Sequence, residues 1–518
     1  MTLRSALGRP ARYASLAAGA VPVLAFPGAG LGALAWVALV PALLVLRSSP
    51  NGREAAVRGW WSGAGFILVA MYWLTPSIGP ALPLLAVVFG ALQAPFGYAA
   101  HRLLGPPVTL RRAAGALVVL PALWLTAEFA RSWHALGGPW ALYGASQWEH
   151  PAVLGLASVG GVWLVSAALV AANTAVVLLC TASALRVRVA AGAMAALCLL
   201  TGPLLFALQA APPVSGEATV ALVQAGQTPD ENARLAANVR LTRSLAGRPV
   251  DLVVWGESST TADLDREGAT LDRLRALSAA TGARLLAGED ARKADGRISK
   301  DAVLIGPDGI ESRYRKIRLV PFGEYIPMRS ALGWIAGVSA AAGENRAPGA
   351  AFHLLPAVDR SGRPLPVGAL ICFESAFPDM SRAAAADGAR LLVYQSSTST
   401  FQSTWAPAQH ASLGAIRAAE TGRPVVQAAL TGESVAYDPQ GRRLARMTTD
   451  GSGTATVRLP LAAPGARTWY VRLGDWVPYT AVAVTAGAAA VALRSRARTR
   501  RAAGPDSASR PAAEPARR

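Results

Sequence analysis

The chain has 518 residues, of which 52% are hydrophobic and only 16% charged, and its mean hydropathy is +0.33. Soluble globular domains carry about 25% charged residues, so a large share of this chain must avoid water. The net charge of +19 does not point to nucleic acid, because the arginines flank apolar stretches and crowd residues 494–518 instead of forming a basic stripe with interleaved aromatics.

The first twelve residues are basic and precede an apolar run with no small-residue cleavage site, which reads as an uncleaved first membrane helix and not a removed leader. From Ala14 to Ala211 about seven segments are long enough to cross a bilayer, which takes about 20 residues each. They centre near Pro22, Leu39, Ile67, Val87, Val119, Val165 and Ala195. Pro22 and Pro27 weaken the first; the sixth is the firmest, since 151–185 holds no charged residue. An eighth lies near 480–493. Arginines 4, 9 and 12, then Arg47, Arg53 and Arg58, then Arg102, Arg111 and Arg112, then Arg186 and Arg188, and finally the tail all fall on one side if each segment crosses once. That side is cytoplasmic by the positive-inside rule, and the long region before the eighth segment lies on the other face.

The expected organisation is therefore a membrane region over 1–211, an extracytoplasmic domain over 212–476, a last membrane helix over 477–494 and a basic, disordered tail over 495–518. The middle region has a different grammar. Short apolar runs recur at 218–224, 250–255, 284–287, 302–305, 367–373, 391–394 and 425–429, with amphipathic helical patterns at 232–245, 271–280 and 408–420 between several of them. Near-continuous apolar strands belong to sheets covered on both faces, hence a layered α/β domain. A hairpin-like end follows at 434–458, with the turn Asp438-Pro-Gln-Gly441.

Three cysteines occur. Cys180 and Cys198 fall inside membrane segments, where a small apolar role is the default. Cys372 stands alone in the middle region, in LICFES at the end of an apolar run. A lone thiol is more often packing than nucleophile, but strand ends are where layered α/β sites gather, and the polar Glu374 and Ser375 follow at once. A thiol with a pKa of about 8.5 needs a base to become reactive. His353 reads as structural; His410 could cap a helix, line a pocket or face solvent. Neither sits in a cysteine-protease pattern, and the histidines do not make a zinc site. Glu257 closes DLVVWGE just past a strand-like run. Lys316 lies in YRKIRLVPFGEYIP, where Arg313, Arg315 and Arg318 make a solvated basic run an equal alternative. Pro321, Gly323 and Pro327 give the loop around Glu324 a defined path.

The order VVWGESS, YRKIRLVPFGEYIP, LICFES matches the Glu–Lys–Cys pattern of the nitrilase superfamily. With the preceding membrane helices, one following helix and QH…IRAAETGRP at 409–424, the chain resembles the apolipoprotein N-acyltransferases. The resemblance implies a nitrilase-like α-β-β-α sandwich inserted in a polytopic membrane domain of about eight helices. It implies transfer of an acyl chain from a phospholipid, through a thioester on Cys372, to the α-amino group of a diacylglyceryl-cysteine on an apolipoprotein. Glu257 is then the base and Lys316 the oxyanion partner, helped by the Phe373 backbone N–H. Glu324 positions or neutralises the Lys316/Glu257 pair, and Glu374 supports the nucleophile's turn. No cofactor or metal is implied, and a monomer in a bacterial plasma membrane is expected.

The apolar stretch 328–342 is expected to dip into lipid with Trp334 and Ile335, a short core helix being the alternative. Phe401 and Trp405 are expected to shape substrate binding. The sequence departs from the family pattern at Ser397, Thr398 and Thr400, at Leu430-Thr431-Gly432, and after the first strand in TPDENARL, where a family tryptophan is absent. These departures bear on what is bound more than on acyl chemistry. A membrane-tethered amidase and a non-catalytic lipoprotein-binding protein remain the rival readings.

Overall fold

Leucine-, alanine- and valine-rich runs give residues 10–208 their helices, and proline interrupts the first of them. A computed structural model describes residues 10–208, 213–333 and 345–502. Among the described residues, five helices are long and apolar enough to cross a membrane: Ala81–Leu104, Leu110–Arg131, Ala157–Thr181, Leu185–Leu208 and Trp476–Ser495. The three earliest apolar segments are also helical but fall short of that measure, so by length and composition five of the eight expected segments qualify among the described residues. Pro10–Ala20 tightens into a 3-10 turn, Val21–Ala25, at Pro22, because proline removes the N–H that an α-helix needs. The second segment is split into Gly32–Trp36 and Val40–Arg47. The third, Gly52–Ala70, carries Arg53, Glu54 and Arg58 in its first turns.

Several polar groups inside this bundle are matched to one another, where lipid would offer them no partner. Asn173 accepts from the Leu39 N–H and donates to the Ala35 carbonyl, each at 2.8 Å, thereby satisfying the backbone at the break between Trp36 and Val40. At one end of the bundle Arg12 pairs with Glu54 at 2.7 Å, Arg58 bonds the Val45 carbonyl and Arg47 the Leu104 carbonyl. At the other end, Tyr72 meets Trp405 and Trp73 meets Phe401. The arginine-rich end and the middle region thus lie at opposite ends of the helices.

The middle region is two six-stranded sheets packed face to face. Strands β1 (Val214–Gln224), β2 (Leu252–Trp255), β3 (Arg284–Arg292), β4 (Ile298–Gly306) and β5 (Gly309–Arg315) make one sheet with β12 (Gly453–Ala462), which pairs antiparallel to β1. Strands β6 (Leu355–Val358), β7 (Pro364–Ile371), β8 (Leu391–Ser396), β9 (Val425–Ala429), β10 (Ser434–Tyr437) and β11 (Arg443–Met447) make the other in chain order. The central strands, β1–β2–β3 and β7–β8–β9, are parallel.

The period of two along each strand explains the layering. Val220, Leu222, Val254 and Leu304 face Val367, Ala369, Val393 and Val426 across the sheets, whereas Ala221, Val223, Val253 and Ile305 face the helices Glu231–Arg243 and Gly268–Thr281. On the far side, Pro378–Ala386 and Ala406–Thr421 cover the second sheet, and their apolar residues join one core with those of the membrane helices. This is an α-β-β-α sandwich whose second helix layer rests on the bundle.

Two expectations are corrected here. The run 434–458 is a hairpin only through β11; the chain then leaves it and crosses to the other sheet as β12. The last helix is continuous from Trp476 to Ala502, so the tail read as disordered begins as helix, because alanine and arginine are strong helix formers even beyond an apolar run. Of the stretch 328–342, Arg329–Leu332 is a short helix, and Trp334 and Ile335 lie outside the described residues.

Candidate active site

Three strand ends converge. Glu257 follows β2, Lys316 follows β5 and Cys372 follows β7. Their sheets touch at this point: the Glu257 N–H donates to the Ser396 carbonyl at 3.3 Å, and Gln395 donates to the Trp255 carbonyl at 2.8 Å. Gly256 is required there, since a Cβ would stand 2.1 Å from the Leu430 nitrogen.

Cys372 opens a 3-10 turn, Cys372–Ala376, with φ at +53°. A non-glycine residue in this left-handed region is strained and needs its surroundings to hold it. Glu374 does so. Its fully buried carboxylate accepts from Ile371 N–H at 2.8 Å, Ile317 N–H at 2.7 Å, Arg318 N–H at 3.0 Å and the Tyr314 hydroxyl at 2.8 Å. His410, also buried, donates from Nε2 to the Cys372 carbonyl at 3.0 Å; a carbonyl only accepts, so Nε2 carries the proton. Burial holds its pKa below the usual histidine value. His410 is thus a support for the turn; it neither caps its helix nor faces solvent.

The ammonium of Lys316 is fully buried between two carboxylates, 3.3 Å from Glu257 Oε1 and 2.9 Å from Glu324 Oε1. Glu324 is fixed in turn by the Val320 N–H at 2.8 Å. Burial drives the Glu257 carboxyl upward, but Lys300 and Lys316 outweigh it and bring its pKa down to about 2. Burial raises the Cys372 thiol, and the Glu257 charge beside it adds to that, to about 12. The resting site therefore holds a neutral thiol hydrogen-bonded to an ionised carboxylate, next to a charged lysine.

The membrane region supplies a wall. After Leu110–Arg131 the chain loops over the sandwich, held by Arg131 donating to the Trp140 and Ala141 carbonyls and by Glu128 accepting from the Tyr143 N–H. His134 donates to the Leu319 carbonyl at 2.8 Å. Trp140 stacks on Phe373 at 6.5 Å and lies 5.9 Å from His410. Gly138, at φ +75°, is needed for this approach, as a Cβ would come within 2.7 Å of Phe377.

Phe373 sits with its ring in this aromatic group. Phe401 and Trp405 lie against Trp73 and Tyr72, at the seam between sandwich and bundle. Thr398 is tied to the Thr431 carbonyl by both its N–H and its hydroxyl.

Sequence reasoning overlooked Lys300, 3.3 Å from Glu257, and the wall residues His134 and Trp140. Lys300 had a signal: it shares the alternation of Ala302 and Leu304, so a lysine falls on the inter-sheet face of β4. The wall had none, because it depends on how two regions far apart in sequence pack.

A thiol, a carboxylate and an ammonium at the seam of a double sheet, walled by a membrane bundle, define a membrane-embedded enzyme of carbon–nitrogen hydrolase type; the carbon–nitrogen hydrolase family model matches residues 219–466. The model of the apolipoprotein N-acyltransferase N-terminal domain matches residues 18–175. The apolipoprotein N-acyltransferase of Geobacter metallireducens is 30% identical over 509 residues, covering 92% of this chain and 94% of the relative. That of Pseudomonas putida is 32% identical over 468 residues, covering 84% and 88%. Among solved structures, Nit3 of Saccharomyces cerevisiae, a nitrilase-superfamily member, aligns with 48% of this chain and 91% of its own at 20% identity and a TM-score of 0.36. The chain belongs to the apolipoprotein N-acyltransferase family and is an acyltransferase of the membrane.

Proposed function

We propose that this protein, acting as a monomer, moves an acyl chain from a membrane phospholipid to the N-terminal amine of diacylglyceryl-cysteine on apolipoproteins, through a thioester on Cys372. The observation that carries this is the single constellation of Cys372, Glu257, Lys316 and Glu324 beside a wall supplied by the bundle. The Cys372 sulfur attacks the ester carbonyl while its proton passes to Glu257. With the thiol near 12 and Glu257 near 2, full transfer beforehand is strongly uphill, so proton transfer and attack are concerted.

The negative charge then forms on the carbonyl oxygen and not on sulfur, and Lys316 with the Phe373 N–H stabilises it; a preorganised donor contributes roughly 3–4 kcal/mol. The tetrahedral intermediate expels the lysophospholipid alkoxide, which takes the proton back from Glu257. In the second half the acceptor amine attacks the thioester carbonyl and gives a proton to Glu257. The thiolate leaves and is reprotonated by Glu257, and an amide remains.

The arginine-rich end of the bundle lies away from the sandwich. With the positive-inside rule this supports an extracytoplasmic domain over about residues 212–476, where both substrates are lipids of the outer leaflet. Phe401 and Trp405, at the seam with the bundle, are assigned to shaping the acceptor's path, and Trp334 and Ile335 to contact with lipid.

The test is to incubate purified protein with phospholipid vesicles and look by mass spectrometry for a hydroxylamine-labile acyl group on Cys372. It should be present in the wild type, lost in Cys372→Ser, and discharged by a diacylated lipopeptide amine. An intact protein that forms no adduct contradicts the proposal.

A further inference from the structure

Lys300 has no part in the scheme above, yet its ammonium is as near to Glu257 Oε1, 3.3 Å, as that of Lys316. Its place is unusual. β4 points Lys300 to the same face as Ala302 and Leu304, into the space between the sheets, and its side chain is only 11% exposed. An ammonium withdrawn from water is costly unless it is paired and hydrogen-bonded. Lys300 is both: it bonds Asp290 Oδ2 at 2.9 Å and Ser258 Oγ at 2.8 Å, while Ser258 Oγ itself donates to Asp290 Oδ2 at 2.9 Å.

Asp290 is the direct cross-strand partner of Lys300 in β3, so Asp290 alone already accounts for the lysine's pairing. The reach to Glu257 is additional. Ser258, next to Glu257, is held at φ +56°, a strained conformation that turns its hydroxyl into this ring. The two lysines are also coupled through the backbone, as Lys316 N–H donates to the Lys300 carbonyl at 2.9 Å.

We infer that Lys300 is a positioning residue for acyl transfer: with Ser258 and Asp290 it clamps Oε1 of the carboxylate of Glu257, so that Oε2 is left to receive protons from Cys372 and from the acceptor amine. The inference rests on the assignment of Glu257 as the base. Both cations end on Oε1, which fixes the carboxylate from one side and leaves the other oxygen for exchange. The charged and titratable groups around this point are Glu257, Asp290, Glu324, Lys316 and Cys372, with His410 beyond the thiol. Among the cations, Lys300 acts on Glu257 before Lys316 in lowering it against burial. It therefore keeps the base ionised throughout the working pH range.

The experiment follows single-turnover formation of the Cys372 thioester by full-length protein in phospholipid-containing micelles, from about pH 4 to about pH 9. Wild type, Lys300→Met, Lys300→Gln and Lys300→Arg are compared. The wild type should show no acid limb in that range. Lys300→Met should bring one into view, displaced upward by at least about two pH units, because Glu257 without this cation is protonated more readily and a protonated carboxyl cannot act as base. Lys300→Gln, which keeps a hydrogen-bonding end but no charge, should show the same limb and covers the case in which methionine disturbs the sheets. Lys300→Arg should return the limb to its wild-type position even at a lower rate.

A uniform loss at all pH values in both neutral variants, an unmoved profile, or an arginine variant that behaves like methionine overturns the assignment. A folded wild type that forms no adduct overturns the base assignment itself, and the two failures are told apart by that control.

Discussion

The carboxylate of Glu374 accepts the backbone N–H of Ile317 at 2.7 Å, and with it the turn that carries the nucleophile is fastened to the loop that carries Lys316. The same carboxylate reaches Arg318 N–H, Tyr314 and Ile371 N–H. All four partners donate, so both oxygens of the side chain serve as acceptors. Glu374→Gln places an NH2 group against one or more N–H donors and leaves buried groups unmatched, at about 1–3 kcal/mol each. We expect a lower unfolding midpoint in detergent and a loss of acyl transfer of about 100-fold, the size of effect that a misplacement of about 1 Å brings. Near-wild-type transfer by this variant would show that the two loops hold their geometry without it.

The strands of the sandwich were largely legible because the runs 218–224, 284–287, 391–394 and 425–429 are apolar on consecutive residues, and both faces of these sheets are indeed covered. Strands β5 and β6 were not, since Gly309–Arg315 alternates with charge and Leu355–Val358 contains proline at an edge. Glu257, Lys316 and Cys372 were legible as a set only through their order along the chain; nothing in each local stretch says that three strand ends meet. Glu374 was visible as a polar residue where packing prefers an apolar one, but its four donors come from one loop and the ends of two strands, β5 and β7, which no spacing reveals. The breaks in the first two apolar segments were not legible, because hydropathy counts residues, whereas Pro22 and the break after Trp36 act on the backbone.

Lys316 stands between Glu257 and Glu324 at 3.3 and 2.9 Å. Lys316→Met removes the cation meant for the oxyanion and leaves two buried carboxylates to Lys300. Loss of one such donor lowers turnover by about 100- to 1000-fold, and breaking a buried pair destabilises by roughly 3–5 kcal/mol. Thioester formation measured alongside thermal unfolding should show both effects. Glu324→Gln should show a smaller loss, since Glu257 still holds the ammonium. Equal losses in the two variants would argue that Lys316 acts only through the fold.

Burial and the charge of Glu257 raise the Cys372 thiol to about 12. In a Cys180→Ser, Cys198→Ser background, alkylation by iodoacetamide should therefore be slow at neutral pH. It should climb about tenfold per pH unit with no plateau below about pH 10, since only the thiolate reacts. Glu257→Gln removes the neighbouring anion and should make the thiol more acidic. Its alkylation at about pH 10 is expected to rise severalfold while phospholipid-dependent acylation is lost. A plateau near neutral pH in the wild type would mean that the resting thiol is already ionised and that attack does not need Glu257.

The joint between sandwich and bundle should itself be pH-sensitive. The helix Ala157–Thr181 is broken at Gly160 and Gly161, and the freed Val162 N–H donates to Glu420 Oε1 at 2.7 Å, while Arg417 donates to Oε2 at 2.5 Å. Burial nevertheless raises Glu420 from 4.5 to about 7, against Arg417 and the Val162 N–H, which favour the ionised form. A carboxyl raised in the folded state binds its proton more tightly there than in the unfolded chain. Its contribution to stability is therefore fully present below about pH 4.5 and is lost as pH rises through about 7, by on the order of 3 kcal/mol. The unfolding midpoint of the detergent-solubilised protein should fall across that window. Glu420→Gln, which cannot titrate, should remove that part of the slope; it also sets an NH2 group against Arg417 and so should start from a lower midpoint. Parallel wild-type and Gln curves between about pH 4.5 and 7.5 would show that the ion pair with Arg417 keeps Glu420 ionised throughout, and that the helix break is held by a fixed charge.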